Sequence, residues 1–293
     1  DEQRMLLVTC VDQLNGQESE EVWAWDGSSW QLINNGGPAP LVVTGIAYDT
    51  DQRLLFRYGG LPLDSNTCDR TELVWTAETG WDRPDLIIDV PQPTACDHIK
   101  LVYDATRVQI VMFGGGQLQE LSEETYTWTG GAWGTAARSG PAPRAHHELV
   151  YDATHEQTFL YGGFDGNQVF DDFWSWNGEE WSELDFSGPG PRSHAAMAAS
   201  PEALLLFGGA TSTSTFGSLT NETWLLTDGA WTSLDVEGPS ARGSAALGYD
   251  PDREVFVMYG GFSADGGELG DTWEFDGSAW SCVNRCETEA ASL

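Results

Sequence analysis

The sequence predicts an all-β fold made of about six similar units. An apolar segment that ends in Gly-Gly occurs five times, and a segment that runs from an aromatic residue or Leu through a turn to Trp occurs six times. The closing tryptophans are 51, 52, 48, 50 and 49 residues apart, a regularity that chance does not produce. Short apolar runs bounded by Gly, Pro, Asn and Asp favour strands, and no stretch has a convincing helical period.

Each unit of about 50 residues contains four predicted strands. The first follows a turn rich in Pro and Gly and ends in Tyr-Asp, as at 140–152 (GPAPRAHHELVYD). The second ends in Gly-Gly, as at 204–209 (LLLFGG), and the last two flank a tight turn, as at 128–133 (WTGGAW). A four-stranded sheet of this size cannot bury both of its faces alone. The units are therefore expected to stack radially, as the blades of a β-propeller do.

These residues resemble the kelch motif, in which Gly-Gly follows an apolar strand, an aromatic residue comes about a dozen positions later and Trp about six positions beyond it. The resemblance covers essentially the whole chain and is to bacterial-type kelch proteins that are secreted or displayed at a surface. The inventory of units predicts a single domain, residues 1–293, folded as a six-bladed β-propeller with four antiparallel strands per blade. The resemblance does not decide function, because kelch propellers include binding modules and enzymes.

The strand inventory leaves one strand of the sixth blade to be assigned. The outer pair of strands occurs six times, and residues 5–10 (MLLVTC) are a degenerate sixth copy of the Gly-Gly strand. The innermost strand occurs only five times. We expect the tail at 284–293 to supply the sixth copy beside residues 5–10. The kelch resemblance also implies a ring closed by strands from both termini.

Charge excludes several classes of partner. The chain carries 13 Lys and Arg residues against 46 Asp and Glu residues, a formal net charge of −33, and Lys100 is its only lysine. Such a surface repels phosphate backbones, so nucleic-acid binding is not expected. No apolar run approaches the roughly 20 residues that a membrane span requires. The composition suits a marine or halophilic source, or a secreted protein kept soluble by charge, and we expect a monomer.

The five cysteines favour disulfides over a zinc site. There is no Cys-x-x-Cys pair and no Cys/His cluster at zinc-finger spacing. Disulfides indicate an oxidising compartment, and hence an extracellular, cell-surface or periplasmic location. A bond between Cys68 and Cys96 is possible. Cys286 has two candidate partners: Cys10, in a bond that would lock the two termini of the ring together, or the nearby Cys282. The sequence does not decide between them.

Loop length predicts which face of the propeller binds. Because strands alternate in direction, the loops after strands one and three share one face, the short-loop face, and the loops after strands two and four share the other, the long-loop face. The long loops after strand two span 61–71, 116–124, 164–172, 210–221 and 262–271. Long, variable loops on a rigid scaffold commonly carry recognition, so we predict the binding site on the long-loop face.

Three arginines on that face are candidate ligand-binding residues. Arg144, Arg192 and Arg242 occupy equivalent positions just before the innermost strand. An arc of guanidinium groups around the channel mouth would attract a carboxylate or sulfate through bidentate contacts. The alternative is that each arginine pairs with a neighbouring acidic residue or backbone carbonyl.

Three histidines are in register two positions later. His98, His146 and His194 lie near the predicted axis on consecutive units, and converging imidazoles can hold a transition metal. Val43 and Ser244 occupy the same position in two other units, and histidine near this position is a common packing residue in kelch sequences. The alternative is therefore that these histidines only pack.

The loops offer further candidate contacts. Phe164, Phe216 and Phe262 are candidates for exposed aromatic contacts. Asp165 and its neighbours, like the acidic loop at 263–271, supply oxygen atoms that could bind Ca²⁺, although Asp-Gly pairs usually only form turns. The tryptophans that flank the turn between strands three and four are expected to be core residues, including Trp25, Trp128, Trp176 and Trp181.

No nucleophile elbow, HExxH, P-loop or dinucleotide-binding motif is present. The sequence therefore favours a non-enzymatic binding module that recognises a protein or glycan partner through the long-loop face and needs no cofactor. The alternative is an enzyme or metal-dependent lyase, with its site built from the in-register Arg and His residues at the channel mouth.

Overall fold

The computed structural model describes residues 6–12, 19–34, 37–39, 41–62, 67–85, 92–117, 120–185 and 187–285. Within these ranges the protein is almost entirely β-structure, with a single 3₁₀ turn at Phe216–Ser218. None of the described residues forms a helix long and apolar enough to cross a membrane.

The chain begins with a three-stranded sheet, here called the first sheet, formed by β1 (Leu6–Asp12), β2 (Ser19–Trp25) and β3 (Trp30–Asn34). The next strands are β4 (Leu41–Val42), β5 (Gly45–Asp49), β6 (Leu54–Tyr58), β7 (Leu61–Pro62), β8 (Glu72–Thr76) and β9 (Gly80–Asp82). Strands β5, β6, β8 and β9 form a four-stranded antiparallel sheet, blade A, and β4 pairs with β7.

Four more blades follow. Blade B contains β10 (Lys100–Asp104), β11 (Gln109–Phe113), β14 (Thr125–Trp128) and β15 (Trp133–Ala137), with the small hairpin β12 (Gly116–Gln117) and β13 (Glu120–Leu121) between them. Blade C contains β16 (Glu148–Asp152), β17 (Gln157–Tyr161), β18 (Phe173–Trp176) and β19 (Trp181–Leu184). Blade D contains β20 (Ala196–Ala199), β21 (Leu204–Phe207), β22 (Thr223–Thr227) and β23 (Ala230–Leu234). Blade E contains β24 (Ala246–Asp250), β25 (Val255–Tyr259), β26 (Thr272–Phe275) and β27 (Trp280–Asn284).

The architecture confirms an all-β propeller of four-stranded antiparallel blades, but five blades have four strands rather than the six predicted. The first sheet holds three strands in the described part of the chain. Its β1 pairs with β2 as the predicted copy of the Gly-Gly strand at 5–10 should. Asn284, predicted in the closing strand, is instead the last residue of β27. Residues 286–293 lie outside the described ranges.

A tryptophan hydrogen bond links neighbouring sheets. The Trp181 indole of blade C donates from Nε1 to Thr125 Oγ1 of blade B at 2.8 Å. The same contact joins the first sheet to blade E, where Trp30 Nε1 lies 2.8 Å from Thr272 Oγ1. Two further pairs are Trp280 Nε1 with Thr223 Oγ1 at 2.9 Å and Trp133 Nε1 with Glu72 Oε1 at 3.0 Å. The first sheet thus packs on blade E in the way that each of these blades packs on the one before it.

The Gly-Gly pairs make the second contact between blades. Gly115 donates its backbone N–H to Arg144 O of the next blade at 2.9 Å. Gly114 has a φ of +67°, and a Cβ there would lie 2.6 Å from the same carbonyl oxygen. Only glycine fits both the space and the left-handed backbone at this point. Equivalent bonds run from Gly163 N to Arg192 O at 2.7 Å and from Gly209 N to Arg242 O at 2.9 Å.

The two remaining sequence signals also have structural roles. The predicted core tryptophans are at most 9% exposed: Trp25, Trp128, Trp176 and Trp181. The Tyr-Asp signal marks a buried turn cap, as at Asp49, whose Oδ1 accepts the backbone N–H groups of Asp51 and Gln52, both at 2.9 Å. These caps hold the tight turns of the short-loop face.

The tryptophan bond can be removed at one interface and added at another. Thr125→Val leaves the buried Trp181 N–H without an acceptor and should lower the free energy of unfolding by about 1–3 kcal/mol. Thr272→Val should do the same at the first sheet. Val22 fills the equivalent position beside Trp81, whose buried Nε1 has no hydrogen-bond partner among the residues that the structure describes. Val22→Thr should therefore raise the free energy of unfolding by about 0.5–1.5 kcal/mol.

Urea denaturation followed by tryptophan fluorescence measures all three variants. Equal stability of Thr125→Val and the parent protein would show that this bond contributes nothing between blades.

Candidate functional site

A belt of five equivalent residues precedes the innermost strands on the long-loop face. Val43, His98, His146, His194 and Ser244 have φ values of 56°, 51°, 54°, 57° and 53°, all in the left-handed region. Backbone bonds link members on neighbouring blades: His98 N to Val43 O at 3.0 Å, His194 N to His146 O at 2.9 Å and Ser244 N to His194 O at 2.7 Å. The fold therefore brings these five positions together at equivalent points of neighbouring sheets.

The three imidazoles of this belt lie side by side instead of converging on one point. The ring centroids of His98 and His146 are 4.3 Å apart at 67°, and those of His146 and His194 are 3.8 Å apart at 22°. Among the described residues, the one group of potential ligands with all ligand atoms within 4.8 Å of one another is Cys68, Cys96 and Asp97. The histidine geometry therefore favours packing over the predicted metal site.

Burial keeps the central histidines neutral. Desolvation, together with the neighbouring His194, lowers the pKa of His146 to about 2. Desolvation and the nearby His98 lower the pKa of His194 to about 4. Neutral imidazoles can stack at these distances without charge repulsion. Lys100 Nζ lies 2.9 Å from Glu148 Oε1, so the only lysine of the chain is paired with a buried carboxylate.

Two phenylalanines extend this row of rings. Phe262 meets His194 edge-on, with centroids 5.8 Å apart, and Phe216 lies 5.2 Å from Phe262. Phe216 is 52% exposed, whereas the other rings are partly exposed. We call this row the aromatic arc: His98, His146, His194, Phe262 and Phe216. Phe164 is partly exposed one loop away, where it bridges to Ala145.

The three arginines occupy equivalent positions, as predicted, but their side chains are buried and paired. Arg144 Nη1 and Nη2 lie 2.5 and 2.7 Å from the two carboxylate oxygens of Asp172. Arg242 forms the same bidentate pair with Asp271 at 2.6 and 2.8 Å. The corresponding pair in blade D joins Arg192 to Glu222. All three arginines are at most 4% exposed.

This arrangement corrects the prediction of an arginine arc that faces a ligand. In blades C, D and E the long loop is followed by an acidic residue directly before the third strand, and this residue neutralises the arginine of the same blade. Arg144 also donates to the carbonyl oxygens of Ala142 and Gly162 at 2.9 and 2.8 Å. Its guanidinium lies 4.0 Å above the ring of Phe170. The arginines therefore clamp each blade internally.

In blade B a disulfide takes the place of the arginine. Cys96 aligns with Arg144, is fully buried and is bonded to Cys68 in the long loop of blade A, with a Cα–Cα distance of 6.0 Å. The predicted Cys68–Cys96 pair is confirmed. Cys282 is also disulfide-bonded. The pairings predicted for Cys10 and Cys286 involve side chains outside the described residues.

The acidic loop residues act as turn caps. Asp165 Oδ1 accepts the backbone N–H groups of Asn167 and Gln168 at 2.8 and 2.9 Å. Asp265 Oδ1 accepts Ser263 Oγ at 2.5 Å and the Gly267 N–H at 3.1 Å. These contacts favour the turn interpretation of the Asp-Gly pairs over the Ca²⁺ site.

A cavity of about 1220 Å³ lies on the opposite side of the molecule and was not indicated by the sequence. Its walls come from the first sheet and from blades A, B, C and E, and include Ile33, Ile46, Trp75, Tyr103 and Leu247. Most of these side chains are apolar. The cavity adjoins the short-loop turns and is separate from the aromatic arc.

A family model described as the KLHDC2/KLHL20/DRC7 Kelch-repeats domain matches residues 121–290, more than half of the chain. The chain belongs to this kelch-repeat family. Kelch propellers typically serve as protein-binding modules. Among curated proteins, none matches the sequence.

The histidine stack should make stability depend on pH. His194 has a folded pKa of about 4 against an ordinary value of 6.5, so the unfolded chain binds more protons between these values. Stability should fall as the pH drops from 6.5 towards 4. His194→Asn keeps a residue that tolerates the left-handed backbone and removes the titrating ring. Between pH 6.5 and 4, the free energy of unfolding of this variant should fall by roughly 1–3 kcal/mol less than that of the parent protein.

Melting temperatures measured in steps from pH 7.5 to 4.5 give the comparison. His155→Asn is the matched control, because its side chain is 66% exposed in a short-loop turn. The same pH dependence in His194→Asn and the parent would contradict the assignment.

Proposed function

We propose that this kelch propeller is a non-enzymatic binding module that holds a partner protein on its long-loop face. The aromatic arc carries the proposal: five contiguous, partly exposed rings on the face with the long loops. Aromatic side chains supply large contact areas at low entropic cost and are enriched in the cores of protein interfaces. We favour a protein over a glycan partner because kelch propellers typically bind proteins.

The enzyme alternative has less support. It requires arginines and histidines that reach a substrate at the channel mouth. In the described part of the chain, Arg144, Arg192 and Arg242 are buried against carboxylates, while His146 and His194 stack on each other. Groups with these contacts position one another and leave little capacity for a reacting molecule.

We also propose that the first sheet is the sixth blade of a closed ring. Trp30 bonds to Thr272 of blade E as the closing tryptophans of other blades bond to their neighbours. On its other side, Val22 packs with Leu55 and Trp75 of blade A. Equal losses of stability in Thr272→Val and Thr125→Val would support this proposal, and a loss confined to Thr125→Val would contradict it.

The disulfide supports a location outside the reducing cytosol, as an extracellular, cell-surface or periplasmic protein. Cys68 and Cys96 join two neighbouring blades, and Cys282 is bonded as well. Alkylation of the native protein without reductant, followed by peptide mass mapping, should recover the Cys68 and Cys96 peptides as a linked pair. Recovery of both peptides in alkylated form would contradict this location.

A selection from a peptide library displayed on phage tests the binding proposal. Peptides that bind the parent protein should be lost on Phe216→Ser, which removes the most exposed ring of the arc. They should be retained on Val108→Ser, which removes an apolar side chain of equal exposure (53%) from a short-loop turn. Peptides that survive Phe216→Ser and are lost on Val108→Ser would place binding on the opposite face and overturn the proposal.

A further inference from the structure

Four of the five long loops that surround the aromatic arc are acidic, whereas the loop at 210–221, which carries Phe216, has no acidic residue. The five loops after strand two contain eleven acidic residues and one basic residue, Arg70. Within the described residues, Asp172 and Asp271 pair with the buried arginines and Glu124 pairs with Arg138. The loop acids outnumber these three pairs together with Arg70, so the face has a negative potential, to which the net charge of −33 adds. Such a potential favours a partner that is basic or bears a basic segment.

The exposed end of the arc combines a ring with a carboxylate. Phe216 lies against the turn at 263–267, since a Cβ at Gly266 would be 3.8 Å from Phe216 Cε1. The neighbouring residue, Asp265, is exposed. Hydrogen bonds from the Ser263 hydroxyl and the Gly267 N–H lower the pKa of its carboxyl, so it stays ionised at neutral pH. Glu268 is exposed in the same loop.

The protein already binds a guanidinium with this combination of groups. Arg144 lies 4.0 Å above the ring of Phe170, and two of its nitrogens pair with Asp172. A guanidinium is planar, so it can stack on a ring and pair with a carboxylate at the same time. A lysine ammonium is a compact, strongly hydrated charge and cannot make the bidentate contact.

We infer that the partner presents an arginine-bearing basic segment to the long-loop face, with a guanidinium over Phe216 beside the carboxylates of Asp265 and Glu268. This inference rests on the proposed function and adds the chemistry of the partner. The rings of the arc provide the contact surface, and the acidic loops provide attraction and orientation.

Calorimetric titration with short homopeptides of arginine, lysine and glutamate, blocked at both ends, tests the inference. The arginine peptide should bind most tightly and the glutamate peptide should not bind. Phe216→Ser should weaken arginine binding about three- to fivefold, the loss expected for an exposed cation–π contact, and lysine binding less. The double variant Asp265→Asn with Glu268→Gln should weaken both basic peptides and reduce the salt dependence of binding.

Two matched variants control for general effects. Val108→Ser removes an equally exposed apolar residue elsewhere, and Glu179→Gln with Glu180→Gln removes two exposed charges from a short-loop turn. Both should leave the affinity for the arginine peptide within about twofold of the parent. Phe216 lies in a 3₁₀ turn that has no buried residues, so its replacement leaves the core intact.

If the Asp265/Glu268 and Glu179/Glu180 variants lose equal affinity for the arginine peptide, the attraction comes from the overall charge of the protein. That result would overturn the inference. The inference would also be overturned if the lysine and arginine peptides bound with equal affinity and neither affinity changed in Phe216→Ser. Peptides selected on the long-loop face that lack basic residues would overturn this inference and leave the proposed function standing. If no selected peptide binds on the long-loop face, the proposed function itself is overturned.

Discussion

The architecture depends on the close approach of each Gly-Gly pair to the start of the next blade. At Gly114 a side chain would collide with the Arg144 carbonyl, and the following glycine donates its N–H to that oxygen. Because this approach recurs from blade to blade, the residues that begin the innermost strands are held at a fixed spacing. That spacing places the ring centroids of His146 and His194 3.8 Å apart. The aromatic arc is thus a consequence of blade stacking.

The same geometry decides where positive charge is used. In a chain with few cations, Arg144 and Arg242 lie inside their blades, each neutralised by one acidic residue at the end of a long loop. Each clamp fixes one end of its loop on the scaffold. Other loop acids, such as Asp265 and Glu268, are exposed. The result is an acidic rim around the aromatic arc.

Much of the fold could be predicted from the sequence, because the repeated Gly-Gly and Trp positions make contacts that every blade needs. The register of Arg144 and His146 followed from the same alignment. The partner of Arg144 did not, since Asp172 lies 28 residues away and loops of variable length hide its equivalence to Glu222. The direction of the histidine side chains could not be predicted either. Equal spacing of the histidines along the sequence fits stacked imidazoles as well as converging ones. The alignment of Cys96 with Arg144 was a signal that could have shown that a disulfide replaces the arginine in blade B.

Departures from the repeat explain where the aromatic arc begins and ends. Gly243 stands where Ala145 stands in blade C, and a Cβ there would be 2.7 Å from the Phe262 ring. The absence of a side chain lets Phe262 fold back to meet His194, so the row of rings continues past the last histidine. On the other side Val43 ends the row, since it offers no ring. On the proposed function, a partner anchored on these rings would bind to one side of the face, over the loops of blades D and E, where Phe216 lies against the turn at 263–267.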